Sequence, residues 1–435
     1  MWYNGGMSVK VDILTREFPP FVYGGAGVHV EELSKVLQKI LSKAEVTVRC
    51  FDGSRAPELG GTYAVGSAGE DGQLGTRDDP WVFGYDVPRQ FQHANPALAT
   101  FSVDLQVSND CAGADIVHSH TWYANLAGFL ASKLYDIPHV ITAHSLEPLR
   151  PWKAEQLGGG YALSSWAEET AYKNAAGIIA VSEGMKKDIL KCYPEVDPAK
   201  VFVVHNGIDL NSFKLTDETT DVLERYNIST SAPTAVFVGR ITRQKGLPYL
   251  LKAIEKLPKD IQVVLCAGAP DTKEIANEVE KAVQKLQKER GNVIEISQML
   301  PKHELTTVLN ASDVFLCPSI YEPLGIVNLE AMALKLPVVA TATGGIPEVV
   351  VDGVTGKLVK IEQLDDGTGT PLKPDVFIED LANAISWMFE DLERAKRFGE
   401  EGYKRAKEHF SWKKIGGKTV QIYKDLIKEH KKRKK

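Results

Sequence analysis

Three neighbouring stretches decide the fold: Asp313-Val-Phe-Leu-Cys-Pro318, Glu322-Pro-Leu-Gly-Ile-Val-Asn-Leu-Glu330 and Lys335-Leu-Pro-Val-Val-Ala-Thr341. The first and third are short apolar runs with a turn signal beside them, which predicts buried strands. The second has a Pro-Leu-Gly turn followed by apolar residues from Ile326 to Ala333, which predicts a buried helix. A strand, a loop, a helix and another strand predict a parallel sheet covered by helices.

Two carboxylates bracket this loop and helix. Glu322 lies on the strand-to-helix loop, and Glu330 lies about a turn and a half into the helix. In open α/β sheets such loops lie at the carboxyl ends of strands, where ligands bind. The free N–H groups and positive dipole of a helix start suit a phosphate, whereas carboxylates suit sugar hydroxyls. Together they indicate a sugar nucleotide as the ligand.

The same alternation of strands and helices runs along the whole chain in two series. A chain of 435 residues exceeds one hydrophobic core, so two domains are expected. Strands are predicted in a first series at residues 9–15, 46–50, 116–118, 139–142, 178–181 and 201–204. A second series is predicted at residues 235–239, 263–268, 293–296, 314–317 and 338–341. The turn at residues 205–209 divides the two series, and residues 53–80, rich in Gly, Asp, Ser and Pro, are predicted to form an exposed loop.

Composition excludes several kinds of function. The net charge of −6 argues against nucleic acid as a partner, and no apolar run is long enough to span a bilayer. Five widely spaced cysteines indicate free thiols, and the first residues lack a signal-peptide pattern, so a cytoplasmic location is expected. No Cys/His cluster predicts a metal site, and the short spacing of His118 and His120 gives little support for one.

Other candidate site residues follow predicted strands. Gly24 and Gly25 stand between the first strand and a helix, where glycine lets the backbone approach a ligand closely. Arg240 and Lys245 follow the first strand of the second series and can neutralise a diphosphate. His144 also ends a strand. It opens a loop of cations and an aromatic residue, Leu146-Glu-Pro-Leu-Arg-Pro-Trp-Lys153, which suits a sugar ring and a phosphate.

These pieces, in this order, resemble the retaining GT-B glycosyltransferases over nearly the whole chain. Within that superfamily the chain is most similar to the actinobacterial-type glycogen synthases, a group that includes α-maltose-1-phosphate synthases. The stretches that carry this closer resemblance are residues 14–30, 117–125 and 142–160. The resemblance implies two Rossmann-like, doubly wound domains facing across a cleft. These would be residues 1–207 and 208–410, with a last helix at residues 411–429 crossing back to the first domain.

The resemblance also implies roles for matching residues. Four would act at the reacting centre: Glu322 and His144 on the donor sugar, Arg240 and Lys245 on the diphosphate. Glu330 would bind the ribose. Sugar and phosphate would be approached closely at Gly24, Gly25, Leu324, Gly325 and Ile326. We place the acceptor at Arg16, Tyr123, Arg150 and Lys153.

The expected reaction moves glucose from ADP-glucose, or UDP-glucose, to the 4-hydroxyl of an α-glucan or of glucose 1-phosphate, with retention and without a metal or cofactor. Tyr23 and Thr121 stand where classical starch and glycogen synthases carry lysine and often aspartate, which leaves the acceptor open. Alternatives are a sucrose-, trehalose- or lipid-directed GT-B transferase, a glycosidase and a non-catalytic sugar-nucleotide binding protein. Assembly into a homo-oligomer is left open.

Overall fold

The computed structural model describes residues 9–434 except 23, 42–45, 54–80, 151–157 and 215–220. The exposed loop predicted around residues 53–80 therefore lies almost wholly outside the described residues. Contacts divide the chain into two compact units. The first consists of Met1–Gly207 together with Trp412–Lys435, and the second is Ile208–Ser411.

The first unit is built on a parallel sheet of seven strands with the order β3-β2-β1-β4-β5-β6-β7. The strands are β1 (Val11–Leu14), β2 (Val46–Phe51), β3 (Trp81–Tyr85), β4 (Ile116–His120), β5 (His139–Ala143), β6 (Gly177–Ala180) and β7 (Val201–Val203). The helices between them are α1 (Gly25–Ile40), α2 (Pro96–Asp110), α3 (Trp122–Leu134), α4 (Gly160–Asn174) and α5 (Glu183–Cys192).

The C-terminal helix, Trp412–Arg433, belongs to the first unit and packs against α1. Its buried residues, among them Ile415, Val420 and Tyr423, recur every three to five positions, so one face of the helix joins the core beside the sheet. Gly416 allows this close packing, since a Cβ built there would lie 2.7 Å from Val36 Cγ1. The fully buried Tyr423 hydroxyl hydrogen-bonds to Nδ1 of His118 at 2.5 Å.

The second unit repeats the plan with six parallel strands in the order β10-β9-β8-β11-β12-β13. The strands are β8 (Thr234–Arg240), β9 (Gln262–Gly268), β10 (Val293–Ile296), β11 (Val314–Cys317), β12 (Val338–Thr341) and β13 (Gly356–Val359). The helices are α6 (Val222–Arg225), α7 (Leu247–Ile254), α8 (Lys273–Arg290), α9 (Lys302–Asn310), α10 (Ile326–Ala333), α11 (Ile346–Val349), α12 (Pro374–Phe389) and α13 (Leu392–His409).

Each sheet reverses its strand order at one point. The reversal lies between β1 and β4 in the first unit and between β8 and β11 in the second. Loops that leave adjacent strands on opposite sides of such a point open a crevice at the carboxyl ends, where open α/β sheets bind ligands. The loops after β1, β4, β8 and β11 carry many of the candidate site residues, so the topology positions them.

The predicted doubly wound α/β architecture is confirmed for both units, and the central strands lie within a residue or two of their predicted bounds. Sequence patterns missed β3 and β13, which lie at sheet edges. The last helix begins at Trp412 and runs to Arg433, four residues beyond its predicted end. All five cysteines are free thiols, as predicted. Among the described helices, none combines the length and the apolar character needed to cross a membrane.

Candidate functional site

In the second unit, the loops that follow β8 and β11 are joined directly. The β8 loop forms a 3-10 turn, Arg243–Lys245, and the carbonyl oxygen of Gln244 accepts a 2.9 Å hydrogen bond from the N–H of Ile320. Gly246 ends the turn with a φ of +67°, and a Cβ there would lie 2.0 Å from the carbonyl oxygen of Pro318. Only glycine fits this position, so the contact fixes the two loops side by side.

Lys245 and Glu322 form an ion pair between these loops. The Nζ of Lys245 donates to Oε2 of Glu322 at 2.7 Å, and Ser319 Oγ donates to the same oxygen at 3.2 Å. The side chains are 19% and 9% exposed, so the pair is largely removed from water. Burial by itself lowers the pKa of Lys245, but the combined attraction of Glu322, Cys317 and Glu330 outweighs it and leaves that pKa raised. Lys245 is therefore a fixed positive charge at the carboxyl end of the sheet.

Arg240 is the last residue of β8 and directly precedes the loop that carries Lys245. Its guanidinium pairs with the carboxylate of Asp271, which follows β9. The carboxylate is buried, whereas the arginine side chain is 40% exposed. Asp271 thus orients a cation that keeps donors free for a ligand. Sequence reasoning missed Asp271, although its place just beyond a strand's carboxyl end is a usable signal.

The start of α10 supplies backbone N–H groups beside Glu322. Gly325 caps the helix with a φ of +94°, Leu324 before it is buried, and Ile326 begins the helix. The first N–H groups of a helix have no intrahelical acceptor, and the dipole there is positive. An anionic group is therefore favoured at this position.

Glu330 lies on the same helix and has an unusual acidity. Desolvation by burial raises the pKa of its carboxyl group to about 7, and the positive charges of Lys302 and Lys245 reduce the size of that rise. The carboxyl group is therefore within electrostatic reach of Lys245, as is Glu322. Lys245 thus contacts Glu322 directly and acts on Glu330 electrostatically.

In the first unit, the loop after β1 carries Arg16, whose guanidinium carbon lies 4.3 Å from the ring centre of Tyr123 on α3. This cation–π contact joins the loops on either side of the strand-order reversal. The N–H of Gly24, the N-cap residue of α1, donates to Oε2 of Glu17 at 2.8 Å, and Gly25 is the first helical residue. The Glu17 carboxylate thus accepts a hydrogen bond from the backbone at the start of α1.

His144 lies beyond β5 in contact with two further histidines. Its Nε2 is 3.0 Å from Nδ1 of His120, the last residue of β4, and its ring centre is 4.8 Å from that of His29 on α1. Burial, with repulsion by His29 and by His118, lowers the pKa of His144 well below its ordinary value. The imidazole is therefore neutral and suited to hydrogen bonding with hydroxyl groups.

Arg150 follows a 3-10 turn, Glu147–Leu149, at the end of the β5 loop. Its guanidinium donates to Ser145 Oγ at 3.0 Å and lies 4.0 Å from the carboxylate of Glu147. Glu147 is buried, and its other carboxylate oxygen accepts a 2.7 Å hydrogen bond from Ser164 on α4. Ser145 and Glu147 thus hold the guanidinium group of Arg150 in place. Lys153 lies outside the described residues.

Glu168 on α4 completes the support of this turn. One of its oxygens accepts hydrogen bonds from the N–H of Glu147 at 2.8 Å and from the Tyr193 hydroxyl at 2.5 Å. Burial, together with repulsion by Glu147, raises the pKa of Glu168 to about 8. Neither carboxylate nor His29 was singled out from the sequence. Helical spacing offers a signal for His29, since it lies four residues after Gly25 in α1.

Comparison with known proteins agrees with this architecture. The family model described as Glycosyltransferase Family 4 matches residues 23–212, and that described as Glycosyl transferases group 1 matches residues 219–405. Alpha-maltose-1-phosphate synthase from Mycolicibacterium smegmatis is 47% identical over 420 residues, which cover 96% of this chain and 100% of that protein. Nearly the whole chain is therefore shared with this relative.

Solved structures support the fold. Sucrose-phosphate synthase from Thermosynechococcus elongatus has a TM-score of 0.73 at 21% identity, over 97% of this chain and 100% of that chain. The catalytic domain of starch synthase IV from Arabidopsis thaliana, bound to ADP and acarbose, has a TM-score of 0.71 at 18% identity, over 97% and 100%. At such identities the likeness shows the fold alone. Taken with the two family matches and the full-length relative, it establishes that the chain belongs to the GT-B glycosyltransferases, the family that includes α-maltose-1-phosphate synthase.

Proposed function

We propose that the enzyme transfers glucose from ADP-glucose, or UDP-glucose, to the 4-hydroxyl of glucose 1-phosphate, with retention of the α configuration. The observation that carries this is the 47% identity to a relative named α-maltose-1-phosphate synthase, over 100% of that relative. Joining one glucose to glucose 1-phosphate through an α-1,4 bond gives α-maltose 1-phosphate. An α-glucan acceptor, as in glycogen synthases, is the alternative for the same donor.

For the donor, the proposal assigns the diphosphate to Arg240, Lys245 and the N–H groups at the start of α10. Two cations beside a helix N-terminus suit an anion that gains charge as the glycosidic bond breaks. Lys245 pairs with Glu322 at 2.7 Å, and a diphosphate would compete for that ammonium. Glu322 would then accept hydrogen bonds from hydroxyls of the donor sugar. Glu330 would accept them from the ribose.

For the acceptor, the proposal assigns the phosphate of glucose 1-phosphate to Arg16 and Arg150, with Lys153 as a further cation. Guanidinium groups bind phosphate through two parallel hydrogen bonds. Arg16 is held over Tyr123, and Arg150 is held by Ser145 and by Glu147. Both cations are therefore partly ordered by their neighbours, which lowers the entropic cost of binding.

The chemistry on this proposal is electrostatic and uses no metal. Arg240 and Lys245 stabilise the departing diphosphate, and a phosphate oxygen on the same face of the sugar takes the proton of the acceptor 4-hydroxyl. The oxygen of that hydroxyl then bonds to the sugar carbon, and the nucleoside diphosphate leaves. His144, being neutral, hydrogen-bonds to a hydroxyl of the sugar and carries no part of the charge.

The decisive experiment offers the purified protein ADP-glucose or UDP-glucose with either glucose 1-phosphate or glycogen. We expect nucleoside diphosphate release with glucose 1-phosphate, and a disaccharide phosphate whose new bond is α-1,4 by NMR. Glu322→Gln is the inactive control. Transfer to glycogen but not to glucose 1-phosphate would refute the proposed acceptor, and no release with any acceptor would refute the reaction.

Arg150→Ala tests the acceptor site separately. We expect it to raise KM for glucose 1-phosphate far more than KM for the donor, because only the acceptor phosphate loses a partner. Arg89→Ala, a change at an exposed arginine of the same unit, is the control and should alter neither value. Equal increases in both KM values for Arg150→Ala would contradict the assignment.

A further inference from the structure

Three histidines from separate elements of the first unit enclose one small space. His29 lies on α1, His120 ends β4 and His144 follows β5. One ring nitrogen from each of these residues, the histidine trio, lies within 4.8 Å of the corresponding nitrogens of the other two. The sheet topology brings them together, because β4 and β5 are adjacent and α1 follows β1, the other neighbour of β4.

The spacing of the trio matches that of a metal centre. With imidazole nitrogens about 2.0–2.1 Å from a tetrahedral ion, ring centres lie about 5 Å apart. The observed centres are separated by 5.4 Å for His29 and His120, 4.8 Å for His29 and His144, and 5.3 Å for His120 and His144. The nitrogens need to move, at most, from 4.8 Å to about 3.3 Å apart, which side-chain rotation within the trio can supply.

The trio also has unused hydrogen-bonding capacity. Within the part of the chain that the structure describes, neither ring nitrogen of His29 makes a hydrogen bond of normal geometry, although the Asn206 side chain lies close enough to interact with it, and Nε2 of His120 has no partner. Both residues are buried, at 4% and 0% exposure, and a buried polar nitrogen without a partner carries a free-energy cost. A bound cation accepts one lone pair from each ring and so offsets part of that cost.

The surroundings fit a bound ion as well. His29 packs against Trp412 with ring centres 5.3 Å apart, and the Asn206 side chain lies beside it. His120 packs against His118, whose two nitrogens are held by Tyr423 and Thr142. His144 alone is partly exposed, which gives an ion a route of entry.

We propose that the histidine trio binds one Zn²⁺ ion and that the bound ion inhibits glucosyl transfer by engaging His144. Imidazole ligands suit Zn²⁺, and three of them leave a fourth tetrahedral position for water. Each ring gives the ion the lone pair of one nitrogen. Where that nitrogen now takes part in the hydrogen bond between His120 and His144, the bond opens, and a proton carried by that nitrogen moves to the other nitrogen of the same ring. Inhibition rests on the proposed function, whereas binding does not.

Binding is tested by calorimetric titration of the full chain with Zn²⁺ after removal of metals by chelation, and by the visible spectrum of its Co²⁺ form. We expect one ion per chain and tetrahedral Co²⁺ bands. His29→Phe keeps the ring packing against Trp412 and removes a ligand, so both signals should be lost. His29→Gln is a second variant in case the first fails to fold. His93→Gln, at an exposed histidine, is the control and should retain both.

Inhibition is tested by assaying transfer with Zn²⁺, with Mg²⁺ and with chelator. Zn²⁺ should abolish the activity of the wild-type enzyme, and chelator should restore it. The His29→Phe variant should have the same activity with Zn²⁺ as with chelator. Mg²⁺, which prefers oxygen ligands, should have no effect. Absence of one-site binding, or equal binding by the folded His29 variants, overturns the site; binding without inhibition overturns the assigned effect on His144. The titration uses no substrate, so failure of the proposed reaction would not affect it.

Discussion

Replacing Lys245 by Met tests whether the Lys245–Glu322 pair holds the two loops of the second unit together. The charges lie 2.7 Å apart, which at an effective dielectric constant of about 20 gives an attraction of about 6 kcal/mol before desolvation is subtracted. The substitution leaves a carboxylate that is 9% exposed, and within the described part of the chain Ser319 is its remaining hydrogen-bond donor. We therefore expect Lys245→Met to lower the free energy of unfolding by about 3 kcal/mol.

The reverse change should cost less. Glu322→Gln leaves an ammonium that is 19% exposed and can reach water, so we expect a loss of about 1–2 kcal/mol. The double variant removes both charges together, and its loss should be smaller than the sum of the single losses by about 1–3 kcal/mol. Urea unfolding followed by circular dichroism and tryptophan fluorescence measures all three.

A second lysine–glutamate pair in the same unit serves as the control. Lys285 and Glu255 are 2.8 Å apart, nearly the same distance, but are 55% and 38% exposed. Lys285→Met should change the free energy of unfolding by less than about 1 kcal/mol, because water and salt screen exposed pairs. The reasoning fails if Lys245→Met costs no more than Lys285→Met, or if the two single losses at Lys245 and Glu322 are simply additive.

Three further outcomes are expected. Glu330 has a pKa of about 7 in the folded chain against an ordinary value of 4.5, so its ionisation opposes folding as the pH rises. The stability of Glu330→Gln relative to wild type, measured in urea, should therefore increase between pH 5 and pH 8. A constant difference would contradict this. Gly246→Ala should lower the free energy of unfolding by about 3 kcal/mol or more, since its Cβ would meet a carbonyl oxygen at 2.0 Å. Gly291→Ala, with a φ of +74° and no described atom within 4 Å, should lower it by about 1–2 kcal/mol. Similar shifts of the melting temperature for the two variants would refute the clash. Tyr423→Phe should cost about 1–3 kcal/mol by leaving a buried His118 nitrogen unpaired, and a loss below about 0.5 kcal/mol in urea unfolding would show that the hydrogen bond adds nothing.

Much of the fold could be predicted because the central strands are buried on both faces. Runs such as those of β11 and β12 are continuously apolar and end in turn residues, so their type and bounds are local properties. The edge strand β13, Gly-Lys-Leu-Val, lacks such a run, whereas β3, Trp-Val-Phe-Gly-Tyr, has one and was missed all the same. Arg240, Lys245 and Glu322 could be singled out because a parallel sheet places strand ends on one edge, and charged residues directly after strands are therefore candidates.

The sequence by itself determined the alternation of strands and helices, the cations and carboxylates at strand ends, and the family resemblance. Periodicity and turn residues act over a few positions, so a single chain records them directly. Only the tertiary structure decided which side chains meet. The 77-residue separation of Lys245 from Glu322 and the convergence of His29, His120 and His144 depend on strand order. Burial, which raises the pKa of Glu330 and lowers that of His144, likewise depends on neighbours that are distant along the chain.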